Sequence, residues 1–213
     1  MLAGPSEVLI IADHTGIPDV IAADLLAQAE HDVEAKPILV CTDIKIANDV
    51  NSSIKARLAL LSTAPVAREA LTKGFACVCD DLSSAVEVSN LLGPEHLEIH
   101  TEDAAEVAKR CTNYGAVFIG SVSAEVLGDY GFGPNHVLPT CGTSRYTGGL
   151  SVFTFLRIRT WMNVTDQSEA QAAIKDCVDL ARIEGLEGHA SAAQCRVIGS
   201  EDDSHTAKKT KLQ

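Results

Sequence analysis

Aromatic side chains are scarce in this chain: Phe, Trp and Tyr make up 4% of 213 residues, with a single Trp. A core built from it must be aliphatic, drawn from Ala, Val, Leu and Ile. Basic residues are also short, 17 Lys and Arg against 29 Asp and Glu, for a formal charge of −12. The acids Glu201, Asp202 and Asp203 near the end are balanced by Lys208, Lys209 and Lys211, so the acidity resides in the body. A body this acidic repels phosphate backbones, which argues against nucleic acid as a partner. No run approaches the ~18 consecutive apolar residues of a membrane helix, so no membrane partner is expected. Met1–Pro5 has neither the basic nor the apolar region of a signal peptide. The seven cysteines contain no C-x-x-C, which excludes a zinc ribbon or a thioredoxin motif. Reduced, buried thiols in a reducing compartment are expected, not secretion, and the sequon Asn163-Val164-Thr165 stands alone. Neither a Walker A sequence nor G-x-G-x-x-G after a strand is present, so phosphate cradling has little support.

What the chain does have is alternation. Hydrophobic residues at 46% and charged residues at 22% are ordinary globular proportions, and the length suffices for a core without disulfide or metal staples. Strands are expected at Glu7–Ala12, Pro37–Thr42, Phe75–Asp80, His96–His100 and Gly115–Gly120. Helices are expected between them: Asp19–His31 after Pro18, Asp43 towards Leu61, Pro65–Lys73, Leu82–Leu92 and Glu102–Cys111. Strand and helix taking turns means a parallel sheet with helices on its faces. From Ser121 to Leu150 glycine and proline crowd in and the texture becomes that of a structured loop. Asp166 and Glu169 resemble a helix-entry box, opening a helix to Ile183, and a second helix runs from Glu187 to Val197. The expected organisation is an α/β domain over 1–150, a helical appendage over 151–199 and a disordered tail over 200–213.

Four groups of polar residues could carry chemistry. Asp24, Gln28 and His31 share one face of an otherwise apolar helix. The plain reading is a solvated face, and the sharper one a metal or substrate site with His31 as nitrogen donor. Glu95 and His96 fall between a helix stop and a strand start. In open parallel sheets ligands sit beyond strand ends, and a carboxylate next to an imidazole supplies two proton-transfer groups. Strand neighbours point to opposite sides, so that pair works jointly only if the backbone is irregular there, as Pro94 allows; otherwise it is surface decoration. The third group is Asp129, Asn135 and His136 in the loop Gly128–Thr140, and the fourth is Glu184-Gly185-Leu186-Glu187-Gly188-His189 between the last two helices. His31, Asp129 and His189 together form an acceptable zinc set, although spacing alone does not bring them together.

Taken jointly, these segments identify a resemblance. Ala3-Gly4-Pro5-Ser6-Glu7, Ala23 to His31, Gly93-Pro94-Glu95-His96-Leu97-Glu98, Gly128-Asp129-Tyr130 through Gly133 to Thr140, and Glu184 to His189 resemble the histidinol dehydrogenase family. The likeness is collinear from Ala3 to about Arg196. It implies an incomplete Rossmann-like domain and the NAD-linked oxidation of L-histidinol through L-histidinal to L-histidine, with one zinc per site. It further implies Gln28, His31, Asp129 and His189 as zinc ligands, and Glu95 and His96 as the acid/base pair. Ser6, His136 and Glu184 would contact substrate, along with His96 and the metal residues. An intertwined homodimer is implied, in which the final helical segment completes the neighbour's site, and a cytoplasmic or plastid home. The resemblance covers the C-terminal half of the family's chain, and the principal nucleotide contacts belong to the other half. An alternative follows from that: a remnant that binds zinc and histidinol without turning it over.

Overall fold

A computed structural model describes residues 2–133 and 135–199. A strand buried on both faces must be apolar along its length, and Glu7–Ala12 (β1), with five apolar residues after Glu7, lies at the centre of the sheet. Around it pair Lys36–Cys41 (β2), Phe75–Val78 (β3), His96–His100 (β4) and Ala116–Ile119 (β5). All registers are parallel and the order is β3-β2-β1-β4-β5. The expected α/β class is therefore what the chain adopts.

Side-chain alternation divides the core in two. Leu9, Ile11, Val40, Leu97 and Ile99 pack on one face against Leu82–Leu92 (α4) and Ala104–Ala108 (α5). Val8, Ile10, Ala12 and Leu39 pack on the other against Pro18–Ala29 (α1) and Ile44–Leu58 (α2). A third cluster seats Ala64–Leu71 (α3) beside the end of α1. Helix ends follow local chemistry. Pro18 opens α1, the Asp43 carboxylate accepts from Lys45 N to cap α2, and Asp81 accepts from Ser84 N to cap α4. Gly93 ends α4 in the left-handed conformation that glycine tolerates best (φ 63°).

The chain divides into two compact units, Met1–Arg157 and Ile158–Gln213, where the composition suggested a boundary at 150. Val152–Phe155 explains the difference: it is a short 3-10 turn closed by the reciprocal bonding of Ser151 and Thr154, and it falls within the first unit. The second unit pairs Gln171–Ile183 (α7) with Glu187–Gln194 (α8). α7 starts later than the helix-entry box suggests, because Asp166 closes its own turn on Ser168 and Glu169. The expected disordered tail, 200–213, lies outside the described residues. Cys41 and Cys111 are buried as expected, but Cys141, Cys177 and Cys195 are exposed; all seven thiols are free. No helix among the described residues is long and apolar enough to cross a membrane.

Candidate functional site

β4 reads His-Leu-Glu-Ile-His. Its alternation would ordinarily turn the polar positions to water, yet all five residues are buried. The register explains where the polar side chains go. His96, Glu98 and His100 pair with Val8, Ile10 and Ala12, and so point to the face covered by α1. There they meet the α1 stripe: Gln28 lies beside His96, and Asp24 beside Glu98 and His100. The stripe is solvated only at its end: Gln28 is fully buried and Asp24 largely so, while His31 is exposed. Two polar faces, one with a period of two and one with the helical period, cover each other.

His96 opens β4 at the amino end of the sheet. Its Nδ1 lies 3.0 Å from the Glu7 carbonyl oxygen. A carbonyl only accepts, so this contact is a hydrogen bond in the tautomer with the proton on Nδ1, which leaves the lone pair on Nε2. Nε2 is buried without a hydrogen-bond partner among the described residues. Burial lowers the His96 pKa, keeping the ring neutral. Glu95 precedes the strand, so the pleat does not hold it on the opposite side, and its Oε2 comes within 3.7 Å of His96 Nδ1. Glu95 Oε2 accepts from Glu7 N at 3.0 Å. Burial, with the charges of Glu7 and Asp129, raises the Glu95 pKa to about 7, against the opposing hydrogen bonds from the Glu7 backbone and the Ser6 hydroxyl.

The second half of the site comes from α1 and the turn Glu125–Leu127 (α6). His31 lies just beyond α1, and its Nε2 is 4.0 Å from Asp129 Oδ2. His31, Asp129 and Glu125 each present a donor atom within 4.8 Å of the others. They line one open cavity together with Thr63 and Tyr130. Gln28 backs this group. With its amide nitrogen turned inward, it lies 3.1 Å from both Glu125 carboxylate oxygens and 3.2 Å from the Glu7 carbonyl oxygen. The opposite orientation would set oxygen against oxygen.

Glu125 escaped the sequence reading, which began the loop at Ser121 but its polar group only at Gly128. It is 5% exposed, and its carboxyl is pushed up to about 9 by burial first, then by Glu98, Asp129, Glu95 and Asp24. The available signal was its position four residues before Asp129, the spacing of one helical face. Ser6 is half-buried at the foot of β1, whereas His136 is exposed in its loop and is not among the groups brought together. Glu184 and His189 are exposed residues of the second unit, at the end of α7 and within α8. The expectation of a site beyond strand ends needs one correction. These groups gather at the amino ends of β1 and β4, whereas open sheets ordinarily bind ligands at the carboxyl ends, because α1 runs back across the sheet and delivers Gln28 and His31 there.

Gly115 ties this corner together. Its N–H donates to the Pro94 carbonyl, and a Cβ placed on it would lie 2.5 Å from the Glu95 carbonyl oxygen. Gly115→Ala is therefore expected to cost about 1–3 kcal/mol through overpacking, read as a lower urea midpoint, and to shift Glu95 and His96 from their places. An unchanged midpoint would mean that β4 and β5 yield freely here.

The family model for histidinol dehydrogenase matches residues 1–197. The histidinol dehydrogenase of Geobacillus kaustophilus (strain HTA426) is 44% identical over 198 residues, covering 92% of this chain and 46% of the relative. That of Synechococcus sp. (strain ATCC 27144) is 45% identical over 197 residues, covering 92% and 45%. The crystal structure of histidinol dehydrogenase from Elizabethkingia anophelis aligns with a TM-score of 0.78 at 37% identity, covering 92% of this chain and 45% of that one. The chain thus spans about half the length of the curated relatives it matches, and the match lies in their C-terminal part. With the family model matching almost from end to end, this chain belongs to the histidinol dehydrogenase family.

Proposed function

We propose that this chain supplies the proton-transfer groups and the zinc set for the oxidation of L-histidinol through L-histidinal to L-histidine, with NAD accepting the hydrides. The observation that carries the reading is His96: a buried, neutral imidazole, fixed through Nδ1 by the Glu7 carbonyl, with an unpartnered Nε2. That is the form a general base needs. His96 Nε2 takes the alcohol proton as hydride leaves the adjacent carbon. The aldehyde must then be hydrated, because the second hydride leaves only from a carbon that also bears the added oxygen. Glu95, as carboxylate, removes a proton from the attacking water, and His96 accepts the proton of the hydrate in the second oxidation.

His31 and Asp129 offer nitrogen and oxygen donors at a separation suited to one zinc ion, with Glu125 facing the same space. In this reading Gln28, His31 and Asp129 would hold the metal with His189. When bound, zinc would supply a Lewis-acidic anchor for histidinol. Ser6, His136 and Glu184 complete the substrate contacts. Glu184 and His189 serve the neighbouring subunit of a homodimer. Exposed Val152, Phe153, Phe155, Leu156, Trp161 and Met162 support association, since so many large apolar side chains in one segment are unusual on a monomer. A reducing compartment, cytoplasm or plastid, suits the free thiols.

A second reading, binding without turnover, has its own support. The β1–α1 turn, Asp13 to Ile17, contains the single glycine Gly16 and lacks the dinucleotide fingerprint. No step is therefore assigned to a nucleotide contact in this chain. The deciding experiment is NADH formation from histidinol by the zinc-loaded 213-residue chain, alongside calorimetric histidinol binding. Turnover supports the first reading; binding without NADH supports the second; neither one overturns both.

The raised Glu95 pKa has a thermodynamic consequence. Between about 4.5 and 7 the folded state holds a proton that the unfolded state has lost, so this group erodes stability as pH rises through that window. Glu95→Gln is expected to stabilise the fold by about 3 kcal/mol above pH 7 and to change little at pH 4, while removing the water-activating base. Thermal unfolding at both pH values checks this, and a stabilisation equal at both would contradict it.

A further inference from the structure

A second cluster occupies the same α1–β4 interface, towards the carboxyl end of β4, and the proton chemistry above does not use it. His100 Nε2 lies 3.3 Å from Glu98 Oε2 and 4.0 Å from Asp24 Oδ2. Glu98 is 0% exposed and the His100 side chain 1%. Four polar atoms here are buried with no hydrogen-bond partner among the described residues: Asp24 Oδ2, Glu98 Oε2 and both ring nitrogens of His100. The other Glu98 oxygen is committed, accepting from Glu125 N at 2.8 Å. Arg57, the guanidinium that bears on Asp24, is itself held by Asp19.

Native interiors seldom leave this many polar atoms unpaired, and one imidazole, even when charged, balances only one of the two carboxylates. The donor type and spacing indicate what supplies it. Two donors bound at about 2.1 Å to one tetrahedral ion stand about 3.4 Å apart, and wider angles take them to about 4 Å. The observed separations, 3.3 and 4.0 Å, lie at the two ends of that range. The donors come from a rigid strand and a rigid helix, which suits a closed structural site. The Asp24 side chain, 13% exposed, gives the ion a way in. We propose that Asp24, Glu98 and His100 form a second, structural site for a divalent transition-metal ion, zinc in the first instance, that fastens α1 to β4.

The inference stands apart from the zinc set at His31 and Asp129, and one experiment separates the two. The 213-residue chain is stripped with a chelator, titrated with Zn2+, desalted and analysed for metal per chain. Two equivalents are expected in the unaltered chain and one in His31→Ala. His31→Ala combined with Asp24→Asn should hold none, and His100→Gln alone should lose one. Cobalt added to His31→Ala should give visible d–d absorption that Asp24→Asn removes. One equivalent in the unaltered chain and none in His31→Ala overturns the second site and leaves the first intact; the unmatched carboxylates are then neutralised by protons. Two equivalents in His31→Ala, falling to one with Asp24→Asn, would overturn His31 as a ligand and uphold this site. If His100→Gln fails to fold, the His31→Ala and Asp24→Asn counts decide the matter.

Discussion

Replacing His96 by alanine is expected to lower histidinol oxidation by about 10²- to 10⁴-fold, the usual contribution of a positioned acid/base group, and to leave the metal content unchanged. The ring is anchored by the Glu7 carbonyl and lies 6.1 Å, centroid to centroid, from Phe118, whereas the proposed zinc donors come from α1 and the residues just after it, the segment after α6, and α8. Removing it deletes the base without deleting a ligand. The check is NADH formation in an active preparation carrying this chain, with metal analysis of the same sample. Loss of zinc together with activity would move His96 from proton transfer to coordination. His96→Gln should not rescue the rate, because an amide keeps hydrogen-bonding capacity but has no basic nitrogen at neutral pH.

The second large effect is on stability. Leu97 sits between His96 and Glu98, fully buried, and points to the core face with Leu9, Ile11 and Ile99. Leu97→Ala is expected to cost about 2–5 kcal/mol, the transfer free energy of the lost atoms plus the cavity they leave. Leu60, 90% exposed after α2, serves as the control; Leu60→Ala should change stability by less than about 0.5 kcal/mol. Equilibrium urea unfolding measures both. A small cost at Leu97 would mean that the two faces of β4 repack independently of one another.

Much of this arrangement was legible in the residues, and the illegible part has a physical cause. β1 announces itself by the run Val8-Leu9-Ile10-Ile11, and the end of α4 by Gly93-Pro94. Glu95 and His96 stand out because a helix stop and a strand start bracket them. The burial of His96, Glu98 and His100 was hidden, because polar alternation in a strand is what a half-exposed strand also shows. Its partner signal was equally ambiguous, since Asp24, Gln28 and His31 make an ordinary exposed stripe. Only the lengths hint that they match: residues 96–100 span about 13 Å of strand, and 24–31 about 10 Å of helix. Glu125 was missed because a one-turn helix has too few residues to show a period. The placement of the site at the amino ends of the strands followed from where α1 finishes, which no local pattern encodes.

The mutual coverage of α1 and β4 makes the two segments a single transferable module. An Ala/Leu helix grafted in place of α1 would face two imidazoles and a carboxylate with nothing to satisfy them, while an all-aliphatic β4 would do the same to Asp24 and Gln28. Chimeras between relatives should therefore tolerate crossovers that exchange both segments together and reject those that separate them.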